Sequence, residues 1–187
     1  MIKIWYNNSG RKENTVNLQE YKEGIKMYDI GDKIVYPLHG AGVIEAIEER
    51  MIMGKRQKYY IMRISSCNMT VMIPMAHSEE IGIRDVMSKD EAKKVLESFK
   101  KEPIKLEDNW NKRQRENLAK LKSGDIYQVL RVLKELLYRD KSKGLSTSER
   151  KMLGNAKQII VSELIMTGVA TKEDIESIME EVVSALV

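Results

Sequence analysis

The sequence predicts an α+β chain of two domains, a small all-β barrel followed by a compact all-helical unit. Between residues 29 and 86, short β-rich runs are separated by Gly and Pro. Beyond Val86 the apolar spacing changes to the helical period, and the helical runs open on capping signals. The charge balance shifts with the pattern. Residues 27–86 carry a net −1, residues 100–157 a net +8 and residues 158–187 a net −5.

In order along the chain, residues 1–26 show neither period and are expected to be disordered or not native. Lys22-Glu23-Gly24 is compatible with a purine-rich ribosome-binding sequence ahead of a start at Met27. Residues 27–87 form the expected barrel. Lys33 to Tyr36 is a strand stopped by Pro37, and Gly40-Ala41-Gly42 is a turn or bulge. Val43 to Met51 alternates only in part. Gly54 marks a hairpin, followed by strands at Lys58–Ile64 and Met69–Ile73 and a last one near Ile83–Val86.

Residues 88–187 form the helical domain. Ser88-x-x-Glu91 caps a first helix with Ala92, Val95, Leu96 and Phe99 inward, ended by Pro103. A second runs from about Asn109 to Lys122, with Leu118 and Leu121 as its apolar side. Asp125 caps a third, with Val129, Leu130, Leu133 and Leu136 buried. Ser146-x-x-Glu149 caps a fourth up to Gly168, and Thr171-x-x-Asp174 caps a fifth.

Composition excludes several classes. No apolar run approaches the ~20 residues that span a bilayer, so no membrane partner is expected. The first residues lack the apolar stretch of a secretory signal. Cys67 stands alone and cannot form an internal disulfide, which points to the cytoplasm. His39 and His77 are far apart, and there is no CxxC, HExxH or phosphate-loop pattern. No catalytic residue, metal site or cofactor is expected, and the chain is read as a non-enzyme. The basic stretch attracts polyanions through counterion release, or it is a set of solvated helix faces.

Trp110 stands at a helix start among polar and basic neighbours, beside Lys112, Arg113 and Arg115. It is either a cap on the helical core or an exposed wedge for a groove, with the cations on phosphates. Arg50 precedes the hairpin turn and is either a solvated charge or a contact. Met72, Ile73 and Pro74 read as core and strand end, or as an interface.

The runs Ile30-Gly31-Asp32-Lys33-Ile34-Val35-Tyr36-Pro37, His39-Gly40, Val43 to Ile47 and Ile81 to Val86 resemble the CarD family (CdnL type) of bacterial RNA-polymerase-binding regulators. The resemblance continues through Asn109-Trp110, Ser123-Gly124-Asp125, Arg139-Asp140, Gly144-Leu145-Ser146, Glu149 to Leu153 and Gln158-Ile159, covering roughly residues 27–187. It implies a Tudor-like or SH3-like barrel that binds the polymerase β subunit, and a helical domain that binds promoter DNA. It implies that Trp110 enters the minor groove at the upstream edge of the open bubble. Arg50, Met51, Ile52, Met72, Ile73 and Pro74 then fall on the polymerase-binding side. Met72 departs from the second Arg of some members, which implies a more apolar contact. Lys112, Arg113, Arg115, Arg150, Lys151 and Lys157 are the expected phosphate contacts. The chain is expected to act as a nucleoid-associated monomer, with a strand-edge dimer left open. A polymerase-independent nucleoid protein and a protein-only adaptor remain as other readings.

Overall fold

The computed structural model describes residues 26–67 and 69–186, with the backbone of residues 5–6 and 12–13. Trp5–Tyr6 pairs antiparallel with Lys12–Glu13. Apart from these strands and Lys26, the expectation for residues 1–26 falls outside the described residues.

Five strands form one antiparallel sheet: β1 Lys33–Tyr36, β2 Gly40–Ile52, β3 Lys55–Ile64, β4 Thr70–Pro74 and β5 Arg84–Asp85. Their order is β4-β3-β2-β1-β5. The expected closed barrel is not formed: the sheet stays open, with β4 and β5 as its edges. β4 ends on Pro74, which has no N–H to donate, and β5 is only two residues long. A 3-10 turn, Met75–His77, and a four-residue helix α1, Ser78–Ile81, join the two edges.

The partial alternation of β2 has a physical cause. The ladder to β3 slips between Ile44 and Ala46, so Glu45 forms a bulge. Ile44 pairs across Met62 before the slip, and Ile47 across Tyr60 after it. Both isoleucines therefore reach the same core although they stand three positions apart, an odd spacing that would otherwise put them on opposite faces. That core holds Tyr28, Ile34, Ile44, Tyr60, Met62, Ile64 and Ile73. The β2–β3 turn is Met53-Gly54, both at positive φ (52° and 76°), as a two-residue hairpin loop requires.

The helices match their caps. α2 is Lys89–Lys101, α3 Trp110–Lys122, α4 Ile126–Ser142, α5 Thr147–Thr167 and α6 Lys172–Ser184. Ser146 and Thr171 each complete a reciprocal capping box, and Ser88, Asn109 and Asp125 each accept from a first-turn N–H. Leu121, Leu133, Leu136, Ile160 and Leu164 centre the helical core. Leu118, expected on the buried side of α3, is exposed. The inward positions of that helix are taken by Arg113, Asn117 and Leu121.

The sheet rests directly on α5. Ala41 N donates to Ser162 Oγ at 2.8 Å, and Gln158 Nε2 to the His39 carbonyl at 2.7 Å. Gly40 sits where a Cβ would lie 2.3 Å from Ser162 Oγ, with φ at +95°, so this approach demands glycine. Arg84 on β5 grips Glu163 on α5 with two bonds, 2.6 and 2.8 Å. Glu163 also accepts from Met87 N at 3.1 Å and is 0% exposed. Arg84 Nε donates to the Gly124 carbonyl at 3.1 Å, which brings the α3–α4 turn into the same joint.

Candidate nucleic-acid and protein interfaces

Two surfaces stand out, one on each side of that joint. The first is the end and edge of the sheet. Opposed residues of an antiparallel pair point to one face, so the register sorts the expected contacts. Met72 lies across from Ile61 and Pro74 across from Tyr59, while Arg50 lies across from Gln57 and Ile52 across from Lys55. Arg50, Ile52, Met72 and Pro74 therefore share the face away from the core. Met51 and Ile73 lie on the opposite face. Ile73 pairs across Tyr60 and is 0% exposed. Its assignment as a polymerase contact is corrected: it holds the sheet core and no partner can reach it. Met51, Ile52 and Met72 are exposed, and Pro74 is half-buried. Arg50 pairs with Glu48, two residues back on the same face. Met53 at the hairpin tip is 99% exposed and in the left-handed region. Sequence analysis did not single it out, although a two-residue loop that ends on Gly54 requires a positive φ at that position.

The second surface is the N-terminal end of α3 with the flank of α5. Asn109 caps α3, its Oδ1 accepting from Lys112 N at 3.0 Å. Trp110 is the first helical residue and is 47% exposed. At about 100° per residue it continues the inward stripe of Arg113, Asn117 and Leu121, but it overhangs the core. The stripe thus runs from apolar through buried polar to a half-exposed indole.

Arg113 was expected to contact phosphate. It is buried instead. Its Nε and Nη2 donate to Glu149 Oε1 at 3.0 and 2.8 Å, and its Nη1 to the Glu107 carbonyl at 2.7 Å. That expectation is corrected, because its donors are used internally. Burial opposes the charge on Glu149, but bonds from Ser146 and Arg113 outweigh it and hold the carboxyl below its usual range. The Arg113–Glu149 link sets the first turn of α5 beside the first turn of α3.

Lys112 and Arg115 are exposed, but lie roughly 200° and 140° around α3 from Trp110. They do not share its face. Lys112 donates to the Glu107 carboxylate at 2.5 Å; this bond raises the lysine pKa and lowers that of the acid. Arg150, Lys151 and Lys157 are exposed on one flank of α5, with Gly154 between them. None of the three has a carboxylate within ion-pair distance among the described residues, unlike Lys100, Lys101, Arg131 and Lys172. Among the described residues no cluster of metal-ligating side chains occurs, and no helix is long and apolar enough to cross a membrane.

An open sheet with an apolar edge is thus fixed to a helical unit that carries a half-exposed tryptophan and cations without a carboxylate partner among the described residues. The comparisons identify the protein's kind. Residues 28–87 match the CarD-like/TRCF RID domain, and residues 94–180 match the CarD C-terminal domain. The chain is 40% identical over 148 residues to a Bacillus subtilis (strain 168) protein named "Putative transcription factor YdeB", covering 79% of this chain and 97% of that one. The chain belongs to the CarD family, of the CdnL type, and its role is transcription regulation.

Proposed function

We propose that this regulator bridges the RNA polymerase β subunit and promoter DNA in the cytoplasm, and stabilises the open complex. Residues 27–87, with a Tudor-like arrangement of strands, are the polymerase-facing domain. The hairpin end and edge strand supply the contact through Arg50, Met51, Ile52, Met72 and Pro74. Residues 88–187 are the DNA-facing domain. Trp110 enters the minor groove at the upstream edge of the bubble, and Arg150, Lys151 and Lys157 hold phosphates, with Lys112 and Arg115 as outer contacts.

The observation that carries this reading is Trp110 itself. A core tryptophan would be covered, whereas this one is half-exposed at an anchored helix end that the Arg113–Glu149 pair ties to the first turn of α5, the helix carrying Arg150, Lys151 and Lys157. A basic patch alone binds any DNA weakly at cellular salt. A polymerase tether raises the effective concentration of the indole at the promoter. A ligand that prefers the open junction shifts the equilibrium by its differential affinity, and ~1.4 kcal/mol means ~tenfold in the open/closed ratio.

The test is promoter opening by purified polymerase with the chain, Trp110→Ala and Arg50→Glu. Trp110→Ala is expected to lose most of the stimulation while still binding polymerase. Arg50→Glu is expected to weaken binding to the β subunit. Unchanged opening with Trp110→Ala refutes the DNA half, and unchanged β-subunit binding with Arg50→Glu refutes the docking face.

A further inference from the structure

We propose that Arg139, Arg113 and Lys134 form a buried three-cation clamp that aims Trp110, which makes Arg139 a positioning residue for DNA contact. This rests on the reading that Trp110 is the residue that meets DNA.

The segment joining α2 to α3, residues 102–109, has no regular structure and borders a cleft of about 630 Å³. Leu106 in its middle is exposed. Packing therefore does little to fix this segment, yet it sets the direction in which α3 begins. Its carbonyls are held by cations. Lys134 Nζ donates to the Glu102 carbonyl that opens the segment at 2.5 Å, and to the Phe99 carbonyl in the last turn of α2 at 2.7 Å. Arg113 Nη1 and Arg139 Nη2 converge on the Glu107 carbonyl, each at 2.7 Å. The Glu107 side chain accepts from Asn109 N at 3.1 Å and from Lys112 Nζ. Glu107, three residues before Trp110, is thus fixed through both backbone and side chain.

The clamp is anchored from behind. Arg139 Nε donates to Glu135 Oε1 at 3.0 Å, and Glu135 Oε2 accepts from Asn117 at 3.1 Å. Glu149, which holds Arg113, accepts from Ser146 in the α5 capping box. A continuous network thus runs from the start of α5 to the segment before Trp110 and on to the inner face of α4. Buried ion pairs seldom outdo well-packed apolar side chains in stability. What guanidinium groups provide and apolar residues cannot is a fixed carbonyl orientation. Preorganising the segment removes an ordering cost that binding would otherwise meet.

The test uses the full chain with Trp5→Phe, so that Trp110 is the sole tryptophan. Arg139→Met/Glu135→Met removes the Arg139 arm of the clamp without stranding a buried charge, while Arg113 and Lys134 keep their bonds, and Arg139→Lys is the conservative variant. The readouts are thermal stability, polymerase binding, Trp110 fluorescence anisotropy and promoter opening. The double variant is expected to keep fold and polymerase binding, lower the anisotropy, and reduce stimulated opening about threefold or more. Arg139→Lys is expected to fall between it and the parent. Unchanged anisotropy overturns the clamp. So does lowered anisotropy with full opening, provided Trp110→Ala abolishes stimulation. If Trp110→Ala itself opens promoters normally, the underlying reading fails and the clamp stands or falls on anisotropy. Lys134→Met, which leaves no ion-paired acid behind, carries the same test if the double variant does not fold.

Discussion

Replacing Arg84 should damage the protein more than replacing its buried partner. Among the described residues, Arg84→Met leaves the Glu163 carboxylate, 0% exposed, with only Met87 N as donor. Breaking a buried pair from one side costs about 3–5 kcal/mol. The Arg84 side chain is 32% exposed, so water entering its place screens part of this, and about 2–3 kcal/mol is expected. Glu163→Gln keeps the volume and an acceptor for Met87 N, and leaves an arginine that rehydrates, so about 1 kcal/mol is expected. The double variant should be more stable than Arg84→Met by about 1 kcal/mol, because no charge is stranded. Urea unfolding of all four proteins, with midpoints and slopes compared, gives the cycle. A cost under about 1 kcal/mol for Arg84→Met, or a larger one for Glu163→Gln, refutes the view that this pair locks sheet to helix.

Gly154 has open space where its Cβ would lie and sits inside a helix, so Gly154→Ala should add about 1 kcal/mol, or roughly 2–4 °C in melting temperature. Burial holds the His39 imidazole below its usual 6.5, where it lies against Tyr36 at 4.5 Å. The unfolded chain then takes the proton first, so this contribution is full above pH 6.5 and lost as pH falls through the folded value. His39→Gln should flatten that part of the melting-temperature profile. Ile73→Ala should cost about 2–5 kcal/mol in urea unfolding, and Met72→Ala, one residue earlier and exposed, under about 0.5.

The helices were legible because their signals are local. Ser88, Asn109, Asp125, Ser146 and Thr171 each mark a start within a residue of the observed one. The strands were placed, but their limits and faces were not. β2 and β3 each extend three residues closer to their preceding turns than Val43 and Lys58 suggested. The bulge at Glu45 breaks the period of β2, so alternation alone could not put Ile44 and Ile47 in one core. α1 was missed because four residues give no periodicity. Arg113 was misread because charge in a sequence does not say who answers it. Its partner Glu149 is 36 residues away, and the partner of Arg84 is 79 away. Trp110 was placed at the helix start, but its support came from Arg139, quoted only as part of a motif.

One helix serves both ends of the molecule. The inner half of α5 carries Ser162, Glu163 and Met166 against the sheet, and its outer half carries Arg150, Lys151 and Lys157. Adding one residue between Lys157 and Ser162 would turn one half against the other by about 100° and lengthen it by about 1.5 Å. The consequence is evolutionary. The α5 interior should tolerate substitutions but no insertions or deletions. Divergence at that helix is therefore expected in its side chains, with its residue count held constant.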